Sequence, residues 1–279
     1  MAATTVPATT VDGSILGPVP GVETRSALGW AVSDTLAVAG RNLRGMLRNP
    51  GIVVFSTVQP IIFVLMFTYV FGGSIEVPGV DYVNFLIPGI FAQSVTFGAV
   101  NTAVGLADDL QKGIIERFRS LPMSRAAVIA GRTIADLTRN LFVIAIMVLV
   151  GLAVGFRVQT NALAFAASIL VIVMFAFALS WLFVNVGLLV ANAETAQAAA
   201  FPIIAPLTFA SSAFVPVADM PGWLQVFAAN QPVTKAVDAV RALCLGGPTA
   251  GSIIASLAWS LGIIAVFAPL AVRRYRRLA

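Results

Sequence analysis

The chain has 279 residues, of which 59% are hydrophobic and only 10% charged, and its mean hydropathy is +0.95. Soluble domains carry about 25% charged and roughly 45–50% apolar residues, so an ordinary water-facing shell is excluded and lipid is the solvent this composition suits. With no histidine and a single cysteine, Cys244, the chain has no means of closing an internal disulfide, building a histidine metal site or activating a Ser–His or Cys–His nucleophile.

Residues 1–25 are rich in Ala, Thr, Val and Pro. They lack a basic start and a sustained apolar stretch, and read as a flexible tail instead of a cleaved signal peptide. Over residues 26–48, Leu28, Val32, Leu36, Ala39, Leu43 and Leu47 recur at intervals of three and four, with Arg41, Arg44 and Arg48 set off that stripe. The pattern predicts an amphipathic helix in the headgroup plane with Trp30 as anchor, or equally a cytoplasmic helix packed on protein. Either one ends at Asn49-Pro50.

A helix crossing the hydrocarbon core needs about 20 apolar residues. Six stretches qualify: 51–72, 83–107, 140–156, 162–190, 195–217 and 252–272, and with these boundaries none contains Asp, Glu, Lys or Arg. The expected fold is therefore all-α and polytopic: one transmembrane domain over 26–272, six spans, and a basic tail at 273–279. All but Arg157, Lys235 and Arg241 of the 17 Lys and Arg residues lie in the two tails or in the loop after the second span. An excess of Lys and Arg marks the cytoplasmic side, which puts both termini and that loop inside. The pI near 10.1 thus reads as a topology signal and not as a nucleic-acid surface.

Residues 108–139, DDLQKGIIERFRSLPMSRAAVIAGRTIADLTR, are too long for a turn and alternate charges with apolar residues at helical spacing. They predict a short helix near 112–120, stopped by Leu121-Pro122, and a second helix from about Ser124 climbing into the third span, with Ser124 as N-cap. Such a loop serves as a docking surface or as a solvated topology determinant. In the fifth span, Pro202 and Pro206 predict a kink. Residues 218–247 hold Pro221, Trp223, Phe227 and Pro232 and a helical stretch over 233–243. They predict either two short helices that dip into the outer leaflet against the fifth and sixth spans, or an interfacial loop with Trp223 at headgroup level. Gln59, Gln93, Thr96, Asn101, Ser180, Asn185, Thr208, Ser211 and Ser212 are candidates among the polar residues inside spans. They line a pathway or make interhelical hydrogen bonds worth about 0.6 kcal/mol each.

A phosphate-cradling G-x-x-x-x-G-K-[ST] loop needs lysine after glycine, but Lys112 and Lys235 follow Gln111 and Thr234. Ion-coupled carriers place ionisable residues inside the membrane, which the six stretches lack; a carrier remains the alternative. An intramembrane enzyme is disfavoured by the missing histidines, and no TVGYG filter marks a potassium-type channel.

The run Lys112-Gly113-Ile114-Ile115-Glu116-Arg117-Phe118-Arg119-Ser120-Leu121-Pro122-Met123-Ser124, followed by Gly131-Arg132 and Asp136, resembles the cytoplasmic loop of type-2 ABC export permeases. In particular it is similar to the daunorubicin-resistance-type drug and lipid exporters of actinobacteria. Met220-Pro221-Gly222-Trp223-Leu224-Gln225, continuing to Asn230-Gln231-Pro232-Val233-Thr234 and Ala239-Val240-Arg241-Ala242-Leu243, is a second match, and the likeness runs from about residue 26 to the end. The resemblance implies a half-transporter in the cytoplasmic membrane that pairs with an identical or sister permease and moves an amphiphilic drug or lipid outward. ATP and Mg would be bound by two partner ATPase subunits, and no cofactor by this chain. It also implies a coupling helix docking through Lys112, Glu116, Arg117, Phe118, Arg119, Leu121 and Pro122. The outer re-entrant lid would hold Pro221, Trp223, Leu224, Asn230 and Pro232. The second and fifth spans of two protomers would face one another, with Gln93, Phe97, Asn101, Pro206, Thr208 and Ser211 along the substrate pathway.

Overall fold

The computed structural model describes residues 33–278 except 38, 42–43, 46–49, 76 and 115–124, and among the described residues there is no strand. The helices, in chain order, are α1 (Pro50–Leu65, continued by a π-helical turn over Met66–Phe71), α2 (Tyr82–Gln111), α3 (Arg125–Val154), α4 (Ala162–Gly187), α5 (Ala193–Phe209), α6 (Gly222–Asn230), α7 (Pro232–Leu245) and α8 (Thr249–Leu278). Ahead of them, the described residues between 33 and 45 are helical.

Among the described residues, four helical segments are long and apolar enough to cross a membrane: α2, Gly131–Val154 of α3, α4, and Thr249–Tyr275 of α8. α2 is the axis of the bundle. It packs against α1, α3, α4, α5 and α7, and 72% of its apolar window is buried, against 17% for α8. A helix covered on every side has no need of a polar face, which is why its apolar residues fall all around it. Phe91, Ile87, Ile90 and Leu86 are fully enclosed, and they join Ile144 and Met147 of α3 and Phe175, Leu179 and Phe183 of α4 in one core. α8 packs on α4 and α7 and carries exposed Ile254, Leu261 and Val266, the surface expected of a lipid-facing helix.

Several boundaries differ from those predicted. α2 outlasts its apolar run and ends at Gln111, where the Lys112 N–H donates to the Asp108 carbonyl (3.0 Å) and Gly113 takes the left-handed φ of 64° that closes helices. α3 is continuous from Arg125, as expected of a helix that climbs into the third span from about Ser124, and it carries Arg132, Asp136 and Arg139 ahead of the apolar run. α8 carries its helix through the basic segment to Leu278.

The fifth stretch, expected over 195–217, is a 17-residue helix that runs through Pro202 and Pro206 and stops at Phe209. It starts with a capping box: the Asn192 side chain accepts from the Thr195 N–H (2.8 Å) and the Thr195 hydroxyl accepts from the Asn192 N–H (3.2 Å). It stops because side chains take its last carbonyls. The Ser211 hydroxyl donates to the Thr208 carbonyl (2.6 Å), and the Gln231 amide nitrogen donates to the carbonyls of Leu207 (2.8 Å) and Ala210 (3.1 Å). Helix ends buried without partners are costly, and Gln231 meets that need while its own oxygen caps α7 at the Val233 N–H.

The segment after the break folds as the two short helices α6 and α7. α7 sits chiefly against α8, α4 and α2, and it meets the end of the fifth stretch through Gln231, Thr234, Asp238 and Arg241, which bond Leu207, Ala210 and Ser212. Arg241 fastens α7 in place. Its guanidinium lies 3.7 Å above the Phe85 ring, donates to the carbonyls of Phe85 (3.1 Å) and Ser212 (2.8 Å), and pairs with Asp238 (3.3 Å). The Phe67 ring stacks on Phe214 at 4.6 Å between centroids, tying the π-helical turn to the same break. The Arg241→Ala variant strands the carbonyls of Phe85 and Ser212, a loss of about 1–3 kcal/mol for a buried group left unpaired, and is expected to lower the melting temperature of the detergent-purified protein by several degrees. Arg241→Lys, which keeps the charge without the fork, is expected to fall between the two in the same melt.

Candidate functional site

Midway along the bundle, α1, α2, α3 and α5 enclose a cavity of about 590 Å³. That lies inside the roughly 300–1,000 Å³ typical of small-molecule pockets. From α2 come Gln93, Phe97 and Asn101, the stripe at i, i+4 and i+8 singled out from sequence, together with Ser94, Val100 and Val104. From α5 come Gln197, Phe201 and Ile204, again one helical face; from α1, Gln59 and Pro60; and from α3, Arg139, Asn140 and Val143.

The other residues assigned to the pathway lie elsewhere. Pro206 is exposed, and Thr208 and Ser211 are buried at the break after α5, where the Ser211 hydroxyl is spent on a backbone carbonyl. None of the three lines the cavity. Of the docking residues, Lys112 closes α2 with its ammonium 2.6 Å from Asp108, and that hydrogen bond, followed by the carboxylate's charge, raises its pKa. Glu116, Arg117, Phe118, Arg119, Leu121 and Pro122 lie outside the described residues. Of the lid residues, Trp223 is 78% exposed on α6 with Val226 and Phe227 beside it. Pro221 and Asn230 are exposed, Leu224 is half-buried, and Pro232 is buried at the first turn of α7.

The wall given by α3 was not foreseen, because Arg139 was counted with the loop and Asn140 with the start of the span. It has a clear physical basis. Along α2, Gly98, Thr102, Gly105 and Asp109 repeat at four, three and four residues, facing Arg132, Asp136 and Arg139 of α3 at four and three. Arg139 donates to the Gly98 carbonyl (2.6 Å) and pairs with Asp136 (3.4 Å), whose other oxygen accepts from the Thr102 hydroxyl (2.5 Å). Arg132 pairs with Asp109, which also lies 3.8 Å from Arg41 of the amino-terminal helical segment. Both glycines are needed for room: a Cβ at Gly105 would overlap the Arg132 guanidinium, and one at Gly98 would press on the Asn140 side-chain oxygen. The signal was present in the sequence as two matching helical periods, one of small and hydroxyl residues and one of charges.

At the cavity, buried polar atoms go unpaired. Both amide atoms of Gln93, the amide nitrogen of Asn140 and the Ser94 hydroxyl have no hydrogen-bond partner, and Gln93 and Asn140 are each 2% exposed. Native structures leave few such groups, and with under 1 Å² of each atom accessible they lie behind the cavity's surface. Among the described residues no group of His, Cys, Asp and Glu is arranged to hold a metal ion.

A side chain at Gly105 tests how far the α2–α3 contact depends on space. The Gly105→Val variant is expected to displace Arg132 from Asp109 and to destabilise by at least the roughly 1–3 kcal/mol of overpacking. A thermal melt checks this, and Gly73→Ala, where a Cβ meets nothing within 4 Å, is the control expected to leave it unchanged.

Residues 33–245 match the ABC-2 type transporter family. The chain is 35% identical over 272 residues to the daunorubicin resistance ABC transporter permease protein DrrB1 of Streptomyces coeruleorubidus, covering 98% of this chain and 96% of that one. It is 30% identical over 248 residues to the probable doxorubicin resistance ABC transporter permease protein DrrC of Mycobacterium tuberculosis, covering 88% and 89%. A putative transport permease ycf38 of Cyanophora paradoxa is 22% identical over 220 residues, covering 76% and 74%. An all-helical chain with four membrane-length segments, matched by this family over most of its length, belongs to the ABC-2 type transporters.

Proposed function

We propose that this chain is the transmembrane subunit of an ATP-driven exporter that moves an amphiphilic drug or lipid outward across the cytoplasmic membrane. The supporting observation is the cavity between α1, α2, α3 and α5: of drug size, mostly apolar, with isolated polar points, in a member of a transporter family. Relatives named for daunorubicin and doxorubicin resistance support the same class of cargo. The chain carries no phosphate-binding lysine after glycine, so ATP and Mg belong to a separate ATPase in two copies. Two permeases, identical or sister, complete the assembly, since one coupling loop is half of a symmetric arrangement.

On this reading α1 and α5 also cross the membrane, giving six spans with both termini cytoplasmic. The loop over residues 112–122 docks on the ATPase. Lys112, Glu116, Arg117 and Arg119 offer pairable charges to the ATPase, and Phe118 and Leu121 apolar anchors beside Pro122. The segment from Pro221 to Pro232, with Trp223, Leu224 and Asn230, covers the outer end. Closure of the ATPase dimer pushes the two docked loops as rigid bodies and turns the cavity from inward to outward access. The charges packed between α2 and α3 are the feature an ion-coupled carrier would use. Here Asp109, Arg132, Asp136 and Arg139 each have a partner of opposite sign, so they are accounted for as structure.

Phe118→Ala and Glu116→Ala are expected to cut transport about tenfold or more in vesicles holding the permease and its ATPase, with folded protein and basal ATP hydrolysis retained. Full transport in these variants overturns the docking assignment, and gradient-driven transport without any ATPase restores the carrier. For orientation, Cys244 is buried, leaving a clean background for new cysteines. Ser120→Cys is expected to react with an impermeant maleimide only from the cytoplasmic face, and Gln225→Cys only from the outer face.

A further inference from the structure

α8 has more helix than a hydrocarbon core requires. Its membrane-length segment, Thr249–Tyr275, has 27 residues, about 40 Å at 1.5 Å per residue, against a core of about 30 Å. The helix runs on unbroken to Leu278. Two faces can be followed along its last turns. Ala271 and Tyr275 are buried, in a cluster with Leu106 near the end of α2 and Val184 and Leu188 at the end of α4. Val266, Pro269 and Arg273 are exposed on the other face. Helical spacing puts Arg277 one turn beyond Arg273, again opposite Tyr275, with Arg274 and Arg276 on the two flanks. Burial of Tyr275 therefore sets the side of the helix that positions 273 and 277 occupy: away from the protein, in line with a lipid-facing stripe.

The cations at this end of the bundle are of two kinds. Arg41, Lys112, Arg132 and Arg139 each pair with an aspartate. Among the described residues Arg273 and Arg274 have no acid partner, although they stand where α8 leaves its apolar run. Guanidinium groups match phosphate oxygens two at a time. We propose that Arg273 and Arg277, flanked by Arg274 and Arg276, bind the phosphate of an anionic phospholipid whose acyl chains lie along Val266 and Pro269. The occupant follows from continuity, because the face that carries the cations is the same one that meets lipid chains one and two turns earlier. A motor subunit fits less well: α8 packs on α4 and α7, whereas the loop assigned to docking joins α2 to α3. The site goes beyond the exporter reading and needs only that α8 crosses the membrane. It also asks more than a positive-inside signal does, since orientation is set by the number of cations and not by a shared face.

The test is photolabelling of the full-length protein in nanodiscs of phosphatidylcholine and phosphatidylglycerol in equal amounts, with a trace of either lipid carrying a diazirine in its acyl chain. Mass spectrometry of chymotryptic peptides reads label at the end of α8, relative to label at exposed Leu170 of α4. Phosphatidylglycerol is expected to exceed phosphatidylcholine there about tenfold, the scale of one to two arginines at an anionic headgroup. The double variant Arg273→Gln/Arg277→Gln is expected to abolish the preference, and Arg274→Gln/Arg276→Gln, which removes equal charge, to keep more than half of it. Size exclusion checks folding, and in vesicles the side from which Ser120→Cys reacts checks insertion. If the first pair fails either check, Arg273→Gln alone decides, with an expected loss of about threefold. Equal labelling by the two lipids in the unsubstituted protein overturns the site. Equal losses in the two double variants overturn the assignment to one face, leaving diffuse attraction of a basic tail. A preference that disappears when the ATPase is reconstituted alongside gives the face to the motor and overturns the lipid. None of these results bears on ATP-dependent transport, which decides the exporter separately.

Discussion

A charge removed from water costs several kcal/mol unless a partner of opposite sign, and further hydrogen bonds, meet it in the interior. The contact between α2 and α3 is built to satisfy that condition. Arg132 reaches α2 because Gly105 leaves it space, Gly98 makes room for the Asn140 side chain, and Arg139 and Arg132 are received on α2 by a backbone carbonyl and by Asp109. Asp136 closes the set by taking Thr102 on one oxygen and Arg139 on the other. The pairing fixes the register of the two helices, since sliding either by one turn would leave ions unpaired. From that register the cavity follows: Arg139 and Asn140 are adjacent residues, and the geometry that places one on the Gly98 carbonyl places the other in the wall.

The opposite end of α2 is governed by carbonyls and not by ions. α5 stops short, and the groups that its missing turn would have satisfied are taken by Gln231 and Ser211. Non-helical backbone inside a membrane protein is tolerated where protein surrounds it, and here the surround is α7, held down by Arg241 on Phe85 and Ser212. The Tyr82 hydroxyl adds a bond to the Phe214 carbonyl (3.0 Å), so the first residue of α2 also serves the break. Both ends of the central helix thus bind irregular or charged neighbours, while its middle, around Gln93 and Ser94, is left with free polar atoms.

This division explains what could be read from the amino acids. α2 and α4 begin within a residue of the apolar runs at 83–107 and 162–190, because a bilayer-length run has no competing interpretation in a chain this poor in charge. The stripe Gln93, Phe97, Asn101 was legible because it is a property of one helix. The start of α3 at Arg125 was legible as well, from Ser124 and the helical spacing that follows it, but what Arg132, Asp136 and Arg139 face was not, because that depends on what α2 presents to them. Their partners lie some 23 to 41 residues away in sequence. The stop of α5 escaped for the same reason: Gln231, which accepts the burden of its last carbonyls, is 21 residues beyond Ala210. Local periodicity reports helices and faces; it does not report which face is met by a cation, a carbonyl or a ligand.

The chain's connectivity gives the α2–α3 contact a mechanical meaning. Residues 112–124 join the end of α2 to the start of α3, so any force applied to that loop reaches the two helices that share the ion pairs and both contribute walls to the cavity. A pair of helices locked by buried charge moves as one body, because separating them exposes uncompensated ions. Displacement at the loop is therefore carried as a shift of α2 and α3 together against α1 and α5, the other two walls. A cavity with two walls on one rigid body and two off it changes shape when that body moves. If an ATPase docks at that loop as proposed, its push would thus reach the cavity midway along the bundle without any cavity residue touching it.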